Sequence, residues 1–251
     1  MNKKIAVISG ASRGLGKDMA LNLAKDGVDI MFTYHKNELK AKEVITSIEA
    51  IGQRAKAFQY DANNPKSSKD LIQNIEAYLK DTYGTPKFDF LINNAGTGVF
   101  NLIPDTAEEQ FDNMMNIHLK SSYFLTQAAL PYINEGGRII NISSGLTRFS
   151  LPGMSAYAMM KGGIEVFTRY LAKELGSRKI TANVVAPGAI ATDFANGSNK
   201  DPQKADLISS ITALGRVGKA EDIGGIVAFL CSDRAGWING QRIEVSGGML
   251  V

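Results

Sequence analysis

Past the middle of the chain, the run "YAMMK" sets Tyr157 and Lys161 four residues apart. In a helix, that spacing puts two side chains on one face. A tyrosine hydroxyl, with an ordinary pKa of about 10, is a poor acid or base at neutral pH unless its anion is stabilised. A lysine one turn away can lower that pKa by Coulomb attraction, so the pair can give or take a proton. Ser144 ends the apolar run "RIINISS", thirteen residues before the tyrosine, and offers a hydroxyl to a substrate oxygen. Asn116 falls inside the helical stretch "MMNIHLK". That is an awkward place for an amide unless it holds a water or makes a core contact. Taken singly, the same residues also read as a surface pair and a strand-end turn. Their weight comes from the company of a nucleotide-type turn.

That turn is "ISGASRGLG", with glycines at Gly10, Gly14 and Gly16. An apolar strand feeds it and a helix leaves it. Gly10 suits a tight turn, Gly14 a close approach of backbone to cofactor, and Gly16 close packing of helix on sheet. The free N–H groups at the helix start suit a pyrophosphate. An ordinary glycine-rich turn is the alternative; a phosphate loop is not, because G-K-[ST] is absent. The second strand ends in "FTYHKN", which places Tyr34, His35 and Lys36 where an NAD-specific fold carries Asp or Glu for the ribose hydroxyl. Arg13 points to the same corner. A 2′-phosphate is a dianion that wants cations, so NADP(H) is the expected cofactor, with a merely solvated turn as the other reading. Asp61, in "QYDAN", either accepts from the adenine amino group or caps a turn. Asn93 and Gly96, in "NNAG", are expected to bring backbone beside the adenosine ribose.

The elements that must position these residues alternate. Apolar runs in "KIAVISG", "VDIMFTY", "RAKAFQYD", "FDFLINNAG", "GRIINISS", "ITANVVAPG" and "QRIEVSGG" read as seven strands. Between them lie stretches of helical spacing, among them one helix from near Asn37 to Gly52 and one long helix over "AEEQFDNMMNIHLKSSYFLTQAALPYI". This is the pattern of an α/β, Rossmann-type doubly wound fold: a seven-stranded, mostly parallel sheet with helices on both faces. No linker interrupts it, so residues 1–251 read as a single domain. The segment at about 192–214 reads as one irregular insertion, a lid or substrate loop.

Composition narrows the function classes. A formal charge of +3 without a Lys/Arg block argues against a nucleic-acid partner. One cysteine, Cys231, excludes an intrachain disulfide, and two distant histidines, His35 and His118, make a metal site unexpected. The start "MNKKIAVISG" is too short in its apolar run for a signal peptide, and no membrane-length apolar run exists. A cytoplasmic protein is expected.

Together the motifs resemble the short-chain dehydrogenase/reductase family, and the resemblance runs from Lys4 to Gly248. "GASRGLG" is similar to the family's cofactor turn, which implies cofactor contacts from Ser12 and Leu15 as well as Arg13 and the three glycines. "NNAG" is similar to its structural signature, which adds Ala95. "PGAIATD" is similar to the segment after the sixth strand, which implies cofactor contacts from Pro187, Gly188, Ile190 and Thr192, the last two on the nicotinamide side. Asn116, Ser144, Tyr157 and Lys161 match the four catalytic positions. The resemblance implies that Tyr157 protonates a carbonyl oxygen that Ser144 positions. It implies that Lys161 lowers the tyrosine pKa and bonds the nicotinamide ribose, with a relay water at Asn116. The implied reaction reduces a ketone or aldehyde to an alcohol with hydride from NADPH, in a homotetramer, without a metal. A 3-oxoacyl carrier-protein reductase, an oxidative alcohol or sugar dehydrogenase, and a cofactor-binding regulatory protein are the alternatives. The carrier-protein enzymes use two arginines to dock the acidic carrier; the matching positions here carry Arg178 and Glu135, which favours a small free carbonyl substrate. Phe149, Leu151 and Met154, in "GLTRFSLPGMSA", are expected to form a partly apolar substrate wall.

Overall fold

The computed structural model describes residues 3–251; the first two residues of the expected domain lie outside them. Seven parallel strands stand in the order β3-β2-β1-β4-β5-β6-β7. They are β1 (Ile5–Ile8), β2 (Asp29–Tyr34), β3 (Ala55–Gln59), β4 (Phe88–Asn93), β5 (Ile133–Ile142), β6 (Thr181–Pro187) and β7 (Arg242–Val245). The apolar runs of the inner strands follow from double burial, while the edge strands β3 and β7 are only half-buried. Side chains alternate across a strand. Thus Ala6 and Ile8 enter one core while Ile5 and Val7 enter the other.

The first core packs under α1 (Gly14–Lys25), α2 (Glu38–Ala50) and, late in the chain, α8 (Glu221–Cys231). Met19, Val44 and Val227 supply its helix side. The second core packs under α3 (Ser68–Tyr83), α5 (Ser121–Ala129) and α6 (Ser155–Glu174) through Ile75, Leu125 and Leu171. Strand order reverses between β1 and β4. Their carboxyl ends therefore open a crevice, the usual ligand place in such sheets.

Three elements differ from the sequence reading. The long helix is broken: α4 (Glu108–Met115) ends at a π-turn over Asn116–Lys120 before α5 begins. β5 starts at Ile133, ahead of "GRIINISS", because the Gly136–Gly137 pair sits in a register shift against β4 instead of stopping the strand. The segment at 192–214 is not irregular. It carries a 3₁₀ turn over Phe194–Lys200 and α7 (Pro202–Ser210). Asp201 caps α7 by accepting from the Lys204 N–H at 3.0 Å, and Pro202 opens its first turn.

Candidate active site

A cleft of about 960 Å³ occupies the carboxyl ends of the strands. Its first wall is the glycine turn. Gly10 has φ +69°, and a Cβ there would come within 2.9 Å of the Ala95 Cα. A Cβ on Gly16 would overlap the Gly10 carbonyl oxygen and lie 2.6 Å from Asn94 Nδ2. That amide donates to the Ser9 and Gly10 carbonyls at 3.0 and 2.9 Å, while Ser9 Oγ accepts from the Asn94 and Ala95 N–H groups. The turn and the "NNAG" segment are thus one braced cradle. Arg13, at the start of α1, makes no side-chain cap, and no acid lies in the helix's first turn. Open amides in a cradle with no room for a Cβ at Gly10 or Gly16 fit a dinucleotide pyrophosphate.

Ser12, Arg13, Gly14 and Leu15 line this wall, and Tyr34, His35, Lys36 and Asp61 line its far corner. No acid ends β2. His35 Nε2 lies 3.6 Å from Asp61 Oδ1, and Arg13 lies 3.6 Å from Asp193. Ala95 and Gly96 face the cleft, as do Pro187, Gly188, Ile190 and Thr192.

Asn93 does not line the cleft. Its Nδ2 donates to Thr126 Oγ1 at 2.9 Å and to Asn141 Oδ1 at 2.7 Å, and Asn141 donates on to Thr168. This buried polar chain braces β4 and β5 against α5 and α6. The cleft-facing part of the motif begins one residue later, at Asn94. Asn116 is also off the wall. It opens the π-turn, with its amide 3.5 Å from Asn63 Oδ1 and its carbonyl accepting from the Ser121 N–H. Such turns gather at functional sites.

The chemical end brings together Ser144, from the end of β5, with Tyr157 and Lys161, from the first turns of α6; all three line the cleft and are buried. Lys161 Nζ donates to the Ile142 carbonyl at 2.8 Å and lies 5.6 Å from the Tyr157 ring centre. Burial pushes the Tyr157 phenol up to about 12, partly offset by a hydrogen bond from Ser144. Burial also draws Lys161 down to about 8. The expected lowering of the tyrosine by the lysine is therefore not the dominant effect; desolvation is. The result is a phenol that keeps its proton at neutral pH.

His118, which the sequence reading used only to argue against a metal site, packs edge-on to Tyr157 with ring centres 5.0 Å apart. Its Nε2 lies 2.7 Å from the Thr97 carbonyl. Burial holds its pKa well below the usual value, so it stands neutral beside the lysine. No group of three potential metal ligands occurs among the described residues. Phe149, Leu151 and Met154 line the cleft as expected, and Phe100, Phe194 and Met249 join them. Nothing in the sequence pattern singled out the latter three, because they come from separate loops. Arg178 and Glu135 lie at the amino ends of β6 and β5, the end of the sheet opposite the cleft, where Arg178 bonds Glu135 at 2.8 Å and two backbone carbonyls.

The family whose sequence model is described as Enoyl-(Acyl carrier protein) reductase matches residues 10–250. An uncharacterized oxidoreductase of Methylorubrum extorquens is 37% identical over 248 residues, covering 98% of this chain and 97% of that protein. Among solved structures, the promiscuous reductase LugOII, which catalyses keto-reduction at C1 during lugdunomycin biosynthesis, superposes with a TM-score of 0.93. It is 38% identical, over 99% of this chain and 98% of its own. The angucycline C-6 ketoreductase LanV, with bound NADP, gives a TM-score of 0.94 at 37% identity, over 98% and 95% of the two chains.

Proposed function

The chain belongs to the short-chain dehydrogenase/reductase family, and we propose that it reduces the ketone of a free, ring-bearing apolar molecule to an alcohol with NADPH. The observation that carries this reading is the convergence of Ser144, Tyr157 and Lys161 on a cleft whose other wall is the glycine cradle. Bound NADPH supplies the hydride that the carbonyl carbon receives. Ser144 Oγ orients the carbonyl oxygen, and Tyr157 donates its phenolic proton to that oxygen. Lys161, drawn down to about 8, exchanges protons close to neutral pH and restores the tyrosine. Holding proton donor and hydride acceptor in one preformed geometry lowers the barrier by removing the entropy of assembly.

NADPH is preferred over NADH because Arg13, His35 and Lys36 rim a corner without a β2 acid. The aromatic and apolar wall, with the ketoreductases LugOII and LanV as relatives, supports a ring ketone. A carrier-protein thioester is disfavoured, because Arg178 is consumed by Glu135 and by backbone carbonyls away from the cleft. The test is NADPH and NADH consumption with ring ketones, small ketones, aldehydes and an acetoacetyl thioester. Ring ketones with NADPH are expected to give the highest kcat/KM. Tyr157→Phe should lower kcat by roughly 10²–10⁴-fold with NADPH affinity kept, the usual worth of a general acid. A parental rate in the folded variant would overturn the mechanism.

The assembly reads as a homotetramer. Support comes from the apolar side chains that α5 and α6 leave exposed, Tyr123 and Phe124 on one and Met159, Val166 and Tyr170 on the other. Light scattering should give about four times the chain mass of 27.1 kDa; a monomer mass would refute it.

A further inference from the structure

A ladder of alternating charges runs from the chain's end to Ser144. Arg148 donates through Nε and Nη2 to the two carboxylate oxygens of Glu244, at 2.9 and 2.7 Å. Glu244 Oε2 also accepts from Arg242 Nη1 at 2.8 Å, and Arg242 Nε donates to Glu165 Oε1 at 2.8 Å. Both ends of the ladder have further partners. At one end Arg148 holds the Met249 and Leu250 carbonyls at 2.6 and 2.9 Å. Met249 lines the cleft, so the tail that carries it is held by the ladder. At the other end Glu165 Oε1 accepts from Ser143 Oγ at 2.8 Å. Thr147 Oγ1 lies within hydrogen-bond reach of both Glu165 and the Ser144 carbonyl, and Arg242 Nη2 donates to that carbonyl at 3.2 Å. Glu165 also stands one helical turn beyond Lys161.

The arrangement is more than surface pairing. The Glu165, Glu244 and Arg242 side chains keep only 14%, 17% and 25% of their exposure. The charge-assisted bonds that Arg242 makes to Glu165 and Glu244 at this depth have defined geometry, unlike exposed pairs, whereas the bidentate Arg148–Glu244 pair lies nearer the surface. The peptide they grip is the one that carries the Ser144 hydroxyl. Its own carbonyl is bound from two sides, and the residue before it is tied to α6.

We propose that Glu165 and Arg242 are positioning residues, which act through the Ser144 peptide to aim its hydroxyl at the substrate oxygen. The inference rests on the catalytic role given to Ser144 above. The test is a double-mutant cycle read as kcat and as NADPH affinity, using Glu165→Gln, Arg242→Lys and Ser144→Ala on the whole chain. Glu165→Gln should lower kcat about tenfold, the scale of a small misplacement at a reacting centre, and leave NADPH affinity within about twofold of the parent. Arg242→Lys, which keeps the charge, should retain more activity than Arg242→Met. In the Ser144→Ala background Glu165→Gln should cost nothing more, because the group it aims is gone. Equal losses in both backgrounds, a parental kcat for Glu165→Gln, or failure of both Glu165→Gln and Arg242→Lys to fold would each overturn the proposal. A parental kcat for Ser144→Ala would instead overturn the catalytic reading of Ser144, and the proposal with it.

Discussion

The two walls of the cleft are built on opposite plans. On the cofactor side the chain presents backbone: Gly10 and Gly16 bring main chain against main chain, and Asn94 ties the layers together. On the substrate side it presents side chains from separate segments, with Phe149 and Leu151 before α6, Phe194 before α7 and Met249 at the tail. A backbone wall has little room for change, because an added carbon meets atoms that cannot rotate away. A side-chain wall can lose or gain a ring and keep its frame. The first wall therefore fixes what class of cofactor fits, and the second tunes which ketone does.

The sharpest way to break this contrast is Gly16→Ala. The added methyl would overlap the Gly10 carbonyl and come within 2.7 Å of the Ala11 α-carbon, both backbone, and would crowd the Asn94 amide that the Ser9 and Gly10 carbonyls hold in place. Overpacking of this kind typically costs about 1–3 kcal/mol, and more where backbone must shift. The variant should lose NADPH binding by at least about tenfold and melt at a lower temperature. Titration of the folded variant with NADPH checks it. Affinity equal to the parent would show that the cradle yields, and the two walls would then not differ in kind.

The same contrast explains what the sequence made legible. Glycine spacing reports backbone demands directly, so the turn, β1 and α1 could be read from nine letters. Buried parallel strands need apolar residues on both faces, which marks the inner strands; the half-buried edge strands β3 and β7 were located by the alternation of strand and helix around them. The Tyr157–Lys161 pair was legible because helical spacing puts both on one face, and the structure sets them 5.6 Å apart, ring centre to ammonium. Less local features escaped. The π-turn at Asn116 leaves helical periodicity almost intact, so the long helix reads as continuous. Asn93 and Asn94 are identical letters, yet one braces the core and the other faces the cleft; only the strand's pleat distinguishes them. α7 carries a Pro202 start behind an Asp201 cap, a local signal outweighed by the polar run around it. His118 shows no pattern at all, since its role comes from the ring of Tyr157, which is distant in sequence. A pairwise Coulomb argument from Lys161 does not give the tyrosine's proton affinity, because it omits burial, which here is the larger effect.

A smaller perturbation sharpens the comparison from the other side. Phe149 lines the cleft in the loop that follows Ser144, and its ring packs against the Gly145 α-carbon, where a Cβ would come within 2.9 Å. The Arg148 guanidinium stands over the same ring, 5.3 Å from its centre. Phe149→Ala removes a ring without touching the glycine cradle or the Tyr157–Lys161 pair. Full burial of such a side chain is worth roughly 1.5–3 kcal/mol, and a half-buried ring that shares its contact with solvent supplies the lower part of that range. KM for a ring ketone should therefore rise about tenfold. A small ketone, too short to reach the ring, should keep its kcat/KM, and NADPH affinity should not move. Steady-state kinetics on the two ketones, with a direct NADPH titration, separates these quantities. If the small ketone lost as much as the large one, Phe149 would be supporting Ser144 instead of touching substrate. If NADPH affinity fell as well, the substrate wall would be mechanically joined to the cofactor wall, and the division of labour between backbone and side chains would fail.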